Sequence, residues 1–180
     1  MKRIDLHIHT IATPLDGDFE FFSEALVNHV DHNKLDCIAI TNHNLFDAEN
    51  FREVQEILPD TVCILPGIEV NVKGFHCLVI ASPTNIDAFS EACSNVPEIT
   101  QDQDGIVIEE FKAYFGDGSY IVIPHYKKKP FIPADDLDEL GDVVTALEVT
   151  SDKKWYYEKS RVNKPVVRFS DYRCRGGNGE

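Results

Sequence analysis

Apolar residues along this chain recur in short runs, most of them bounded by polar residues or by Pro and Gly. The first run alternates, with Ile4, Leu6 and Ile8 on one parity and Asp5, His7 and His9 on the other. A period of two predicts a strand with one apolar and one polar face. Ala12 to Phe22 then reads as a loop holding the turn-former Asp16-Gly17. Ser23 is expected to be an N-cap, and Ala25, Leu26 and Val30 form a helical stripe behind it. The β-rich run Leu35 to Thr41 predicts a second strand, ending at Asn42-His43-Asn44. Asp47 to Leu58 is helical in pattern and stops at Pro59. Thr61 to Leu65 forms the third strand and leads through Pro66-Gly67 to Ile68-Glu69-Val70.

Only Asn71 to Gly74 separates this stretch from the apolar run Phe75 to Ala81. A parallel crossover needs about a dozen residues or more, so the gap predicts a hairpin and an antiparallel fourth strand. Helical patterns at 85–94 and 106–116 precede a strand from Tyr120 to Pro124 that ends in His125. A helix near 134–140, a strand from Val143 to Val149 and a helix from Trp155 to Val162 follow. The last strand is Pro165 to Phe169, followed by Ser170-Asp171. Seven strands with interspersed helices predict an α/β fold, a closed or nearly closed barrel. An eight-fold barrel takes about 250 residues. With 180 residues a distorted, compact (β/α)7-type barrel fits better, read as one domain over 1–175 with a polar, Gly-rich tail at 176–180.

Charge narrows the function. Seventeen basic against thirty-one acidic residues give a net charge of −14, the reverse of a free-standing non-specific DNA binder. The five cysteines (Cys37, Cys63, Cys77, Cys93 and Cys174) form no C-x-x-C pair, and three of them sit in apolar runs. Reduced core thiols and a reducing cytoplasm are expected. With no apolar signal core and no run as long as a membrane span, the chain is expected to be cytoplasmic, with no membrane partner.

Five of the seven histidines (His7, His9, His43, His76 and His125) fall at or beside predicted strand ends, as do Glu69 and Asp171. His29 and His32, on or just after the first helix, read as solvated. In α/β barrels the strand C-termini open on one face, and an antiparallel fourth strand starting there would add His76. His7 and His9 would stand about 6.6 Å apart on one face, close enough to share an ion, with Asp5 placed to orient a ring. Taken singly, each residue has an ordinary role as a cap, a turn bond or an exposed hairpin residue. Seven converging on one edge point to a metal centre. Mixed imidazole and carboxylate donors suit zinc, manganese or iron.

The pattern resembles the PHP (polymerase and histidinol phosphatase) family of metal-dependent phosphoesterases. Asp5 to Thr10 is similar to that family's D-L-H-x-H-[ST] opening, and Asp16-Gly17 sits at its D-G turn. Ala39 to Asn44 resembles A-I-T-D-H-N, Gly67 to Glu69 its glutamate motif, Pro124-His125 a later histidine, and Arg168 to Asp171 the start of its closing S-D-x-H. The resemblance implies a distorted (β/α)7 barrel with the metal site at the C-terminal ends of the strands. It implies His7, His9, Glu69 and Asp171 on one divalent ion and Glu69, His76 and His125 on a second, with Glu69 bridging. Asp16 and His43 would hold a third. There the chain departs, since Arg173 stands where the family has its closing histidine, so the third site lacks a ligand. Asn42 replaces the family's aspartate, next to His43.

The implied reaction is hydrolysis of a phosphate ester by hydroxide that the metals activate, with two or three ions. His43 or a bound water would protonate the leaving group, and Arg173 would clamp a phosphate oxygen. Lys127, Lys128 and Lys129 follow one strand end, and Lys153 and Lys154 with Trp155, Tyr156 and Tyr157 follow another. Cations beside aromatics suit a nucleotide or single-stranded nucleic acid. A small phosphomonoester of the histidinol-phosphatase type is the alternative substrate. A module weakened in catalysis, serving as a subunit beside a protein partner or in an oligomer, is the alternative of another class.

Overall fold

The computed structural model describes residues 2–17, 19–100 and 105–176, so the tail expected at 176–180 lies outside the described residues from 177 onward. The order of elements is β1 (Ile4–His9), α1 (Ser23–Asn33), β2 (Cys37–Ile40), α2 (Ala48–Ile57), β3 (Cys63–Val72) and β4 (Phe75–Ile80). There follow α3 (Ile86–Cys93), α4 (Ile108–Phe115), β5 (Ile121–Lys127) and α5 (Ala134–Leu140) with a 3-10 turn at Gly141–Val143. The chain ends in β6 (Leu147–Val149), α6 (Asp152–Glu158), β7 (Val166–Val167) and β8 (Tyr172–Arg173). The strands form one mixed sheet in the order β7-β6-β5-β4-β3-β2-β1-β8, so the ends of the sheet are two short strands close in sequence. The pairs β3–β4 and β4–β5 are antiparallel and the others parallel. The expected hairpin turns at Lys73-Gly74, both with positive φ (46° and 80°), the geometry that matches strand twist in a two-residue turn.

Several boundaries differ from the sequence pattern for physical reasons. Pro66 does not interrupt β3, because parallel pairing to β2 continues through it. Gly67 allows the close approach there, since a Cβ would stand 2.8 Å from the Thr41 methyl. Phe22, not Ser23, is the N-cap of α1, with no side-chain bond, whereas Asp47 caps α2 by accepting from the Glu49 and Asn50 amides. The eighth strand, Tyr172–Arg173, was not evident from its composition; it is two residues long and pairs with Ile8 and His9.

The sheet is curled, with an inner layer of side chains and an outer one under the helices. Leu6, Ala39, Leu78, Ile80, Ile123 and Ala146 pack together without any helical residue, lining the inside of the curl. Ile8, Ile38 and Ile40 pack outward on Leu26 and Val30 of α1 and Phe51 and Val54 of α2. The simple alternation expected of β1 therefore fails, since Leu6 points in and Ile8 out. Between Asp5 and Ile8 the register shifts, three residues of β1 spanning two of β2 (Asp5↔Ile38, Ile8↔Ile40). A bulge of one residue exchanges the faces beyond it. It leaves Asp5 outside with α1 and turns His7 and His9 inward. A second bulge follows His125, where His125↔Glu148 and Lys127↔Val149 are successive pairs on β5 and β6. No helix among the described residues is long and apolar enough to cross a membrane.

Candidate metal centre

Glu69 is the hub of a buried polar cluster. Cross-strand pairing sets it opposite Leu78 on the inner face, and a parallel bridge joins it to His43 beyond β2. Its two oxygens have separate partners. Oε2 lies 2.9 Å from His7 Nε2, 3.2 Å from His9 Nε2 and 3.2 Å from His43 Nδ1. Oε1 lies 2.7 Å from His76 Nδ1 and 3.2 Å from His125 Nε2. Asp171, at positive φ (54°) just before β8, brings Oδ1 to 3.2 Å from His9 Nε2 and 3.4 Å from His7 Nε2. Asp16 reaches the same edge from its turn, 3.4 Å from His43 Nε2 and 4.0 Å from His9 Nδ1. All eight residues expected to hold metal (His7, His9, Asp16, His43, Glu69, His76, His125 and Asp171) thus lie in one cluster, five imidazoles on Glu69 and the two aspartates on those imidazoles.

Among the described residues, four groups of donors stand close enough together to hold an ion: His7–His9–Glu69, His7–His125–Glu148, His9–Asp16–His43 and His43–Glu69–His76, with donor atoms within 4.8 Å of one another. Both ring nitrogens of His9 and of His125, and Nδ1 of His43, are buried and make no aligned hydrogen bond, carboxylate oxygens 3.2 Å away from three of them notwithstanding. Buried nitrogens left this way are costly unless something binds them, and the donor set is of the kind a divalent cation takes. The residues present therefore fit a metal centre.

The carboxylates are set for this role. Burial alone would raise the Glu69 carboxyl, but the attraction of His7 and His43 and bonds from His7 and His76 hold it well below its usual range. Asp171 is likewise held down against burial by His9, His7 and Lys128, and Asp16 by His43. Burial lowers His43 and His125, opposed chiefly by Glu69 at His43 and by Glu148 at His125. For His7, burial is outweighed by Glu69 and Glu148, which push it up to about 10. Lys128, with Nζ 2.8 Å from His7 Nδ1, works against that rise.

Three residues stand where the sequence did not indicate. Glu148 is fully buried and was missed; it lies 3.1 Å from His7 Nδ1 and 3.2 Å from His125 Nε2. Its signal was a lone charge in an apolar strand, in register with His125. Lys128, expected among surface contacts to substrate, is 7% exposed and lies inside the cluster, because the bulge after His125 turns it inward. His29, expected to be solvated, stacks on Tyr172 (4.0 Å between centroids) and lies 3.0 Å from Asp5. Asp5 therefore orients His29 and Ser170, not the ring of His7.

Arg173 spans the carboxylates at the rim. Its Nε donates to Asp16 Oδ1 at 2.7 Å and its Nη1 to Asp171 Oδ1 at 2.7 Å. Asn42 faces away from the cluster and accepts from the Thr10 and Ile11 amides (2.7 and 2.9 Å), pinning the exit of β1. A cavity of about 400 Å³ opens over the cluster, lined by His43, Glu69, His76, His125, Asp171 and Arg173 and also by Lys129. Lys127 is exposed, with Nζ 4.7 Å from the Tyr126 ring centre. Lys153 is exposed at a second hollow of about 530 Å³ with Lys154, Tyr157 and Arg161.

No protein-family model and no curated protein matches the chain. Solved structures do. A candidate metal-dependent phosphoesterase from Bifidobacterium adolescentis superposes with a TM-score of 0.61 at 14% identity, over 95% of this chain and 87% of that one. The chain shares that protein's fold. A two-domain protein from Bacteroides vulgatus, containing a predicted PHP-like metal-dependent phosphoesterase, gives a TM-score of 0.61 at 15% identity. That match covers 96% of this chain and 52% of the other, so the chain spans about half of that protein's length. Within this fold β4 runs antiparallel to both its neighbours, so that His76 starts where the parallel strands end.

Proposed function

We propose that the chain is a metal-dependent phosphoesterase of the PHP type. The observation that carries this reading is the division of the Glu69 carboxylate, with His7, His9 and His43 on one oxygen and His76 and His125 on the other. His7, His9, Glu69 and Asp171 would hold one divalent ion, and Glu69, His76 and His125 a second, of zinc, manganese or iron. When bound, such ions supply charge to phosphoryl oxygens and lower the pKa of a water to near neutrality.

The chain's own groups do the rest. Arg173 stands where a third ion would bind, bonded to Asp16 and Asp171, and it lines the cavity as a fixed positive charge for a phosphate oxygen. His43, between Glu69 and Asp16, is the group we assign to deliver a proton to the leaving oxygen. Lys129 lines the same cavity. On α6, Lys153 and the exposed Tyr156 and Tyr157 offer cations beside aromatic faces. These favour a nucleotide or single-stranded nucleic acid as substrate. A cavity of about 400 Å³ is also large enough for a small phosphomonoester, which is the second reading. Five cysteines, all free, fit a reducing, cytoplasmic setting.

The test is hydrolysis by protein stripped of metal and then reloaded with zinc, manganese or iron. A chromogenic phosphomonoester, a chromogenic phosphodiester and a single-stranded oligonucleotide serve as substrates. Metal-dependent turnover of the diester and oligonucleotide is expected. Turnover of the monoester alone favours the second reading, and none on any substrate leaves a metal-binding subunit.

A further inference from the structure

The centre holds a second buried carboxylate that competes with Glu69 for the same imidazoles. His125 Nε2 is 3.2 Å from Glu69 Oε1 and 3.2 Å from Glu148 Oε2. His7 turns Nε2 toward Glu69 at 2.9 Å and Nδ1 toward both oxygens of Glu148 at 3.1 Å. Distance does not decide between them, since His7–His125–Glu148 is as compact a donor group as His7–His9–Glu69.

Charge does decide. Lys128 Nζ lies 2.8 Å from His7 Nδ1, 2.9 Å from Glu148 Oε1 and 3.2 Å from Asp171 Oδ2. An ammonium has three protons and no lone pair, so at these distances it takes up the lone pairs that an ion would need. Removed from water, it also repels a divalent cation strongly. The Glu69 oxygens meet five imidazoles and no such cation. Arg173 stands in the same relation to the His9–Asp16–His43 group, 2.7 Å from Asp16. Two of the four donor groups thus already carry a side-chain cation, and the two left open both contain Glu69.

We propose that Lys128 is a placeholder cation: it fills the His7–His125–Glu148 group and so keeps a further ion from seating beside those on Glu69. The proposal rests on the metal-centre reading above and assigns Lys128 a positioning role, without contact to substrate. A buried carboxylate stripped of its partner is strongly destabilising, so without Lys128 the Glu148 group should recruit an ion of its own.

The experiment counts zinc per chain, by elemental analysis after equilibration with excess zinc and removal of the free ion. It compares wild type, Lys128→Met, Lys128→Arg and the double variant Lys128→Met/Glu148→Gln. Lys128→Met should bind one ion more than wild type, Lys128→Arg should keep the wild-type count, and the double variant should return to it. Cobalt in place of zinc should add a new visible absorption in Lys128→Met alone. If Lys128→Met unfolds without metal, zinc should restore its fold with the extra ion bound, and failure to do so overturns the proposal. An unchanged count in folded Lys128→Met overturns the role of Lys128 and leaves the centre standing. A wild type that binds no metal overturns the centre itself.

Discussion

Arg173 brings a permanent charge to a place where the surrounding groups would suit an ion. Its bonds to Asp16 and Asp171 hold both carboxylates in place at the rim and aim a guanidinium at the cavity. Because a guanidinium stays protonated at any usable pH, its contribution does not depend on metal supply. We expect Arg173→Ala to lower kcat by about 10²–10³, the usual loss for one electrostatic donor at a developing charge. Arg173→His should instead raise the metal count by restoring a lone pair beside Asp16, and steady-state kinetics with metal analysis checks both. Motif spacing singled out Arg173 as the anomaly, because one residue type stood against a pattern. The same reading could not separate Lys128 from Lys127 and Lys129, since three lysines in a row look alike until the backbone decides which one is buried. Glu148 was hidden for the opposite reason, as one charge inside an apolar run that reads as core strand.

At the scale of elements, the centre depends on two bulges and one outer network that ties α1 to the ends of β1 and β8. Asp5, turned outward by the first bulge, accepts from Ser170 N (3.1 Å) and Ser170 Oγ and lies 3.0 Å from His29 Nε2 of α1. Ser170 precedes Asp171, so the network fixes the turn that presents Asp171 to the imidazoles. Burial would raise the Asp5 carboxyl, but the bonds from His29 and Ser170 outweigh it and hold it below its usual range. A depressed carboxyl stabilises the fold above its unfolded value, and that contribution is lost as the pH falls through about 4 and below. Ser170→Ala should therefore cost about 1.5–3 kcal/mol at neutral pH, the range for a hydrogen bond to a charged group. Its deficit should shrink toward pH 3, as seen in urea unfolding from pH 3 to 7; a deficit constant with pH would leave the network as simple packing. Period-two alternation indicated β1 as a strand but not its bulge, because the extra residue is defined only by pairing with β2. The β3–β4 hairpin was readable, since a gap of four residues admits no crossover.

For the whole molecule, the net charge of −14 sets the terms on which a phosphate-bearing substrate approaches. Local cations at Lys129, Lys153 and Arg173 must outweigh a field that repels it, so binding of an oligonucleotide should weaken with salt only as far as these few contacts set. Replacing Lys129 and Lys153 by Ala should weaken an oligonucleotide more than a small chromogenic ester. It should also flatten the salt dependence by about 0.7 in slope for each lost contact on a single strand, measured by titration at several ionic strengths. Equal losses on both substrates would assign these lysines to general surface charge. The α/β class and the gathering of polar residues at one edge could be read along the chain, because strand ends and turn residues mark themselves locally. The eighth strand and the inward Lys128 could not, because both are set by pairing between distant segments. The account as a whole stands on Glu69 as the shared ligand of two ions, and the metal content of Glu69→Gln beside wild type tests that most directly. We expect the wild type to hold two divalent ions, and the variant to stay folded while losing most of its metal and its phosphate-ester hydrolysis. A Glu69→Gln protein with full metal occupancy would contradict the account.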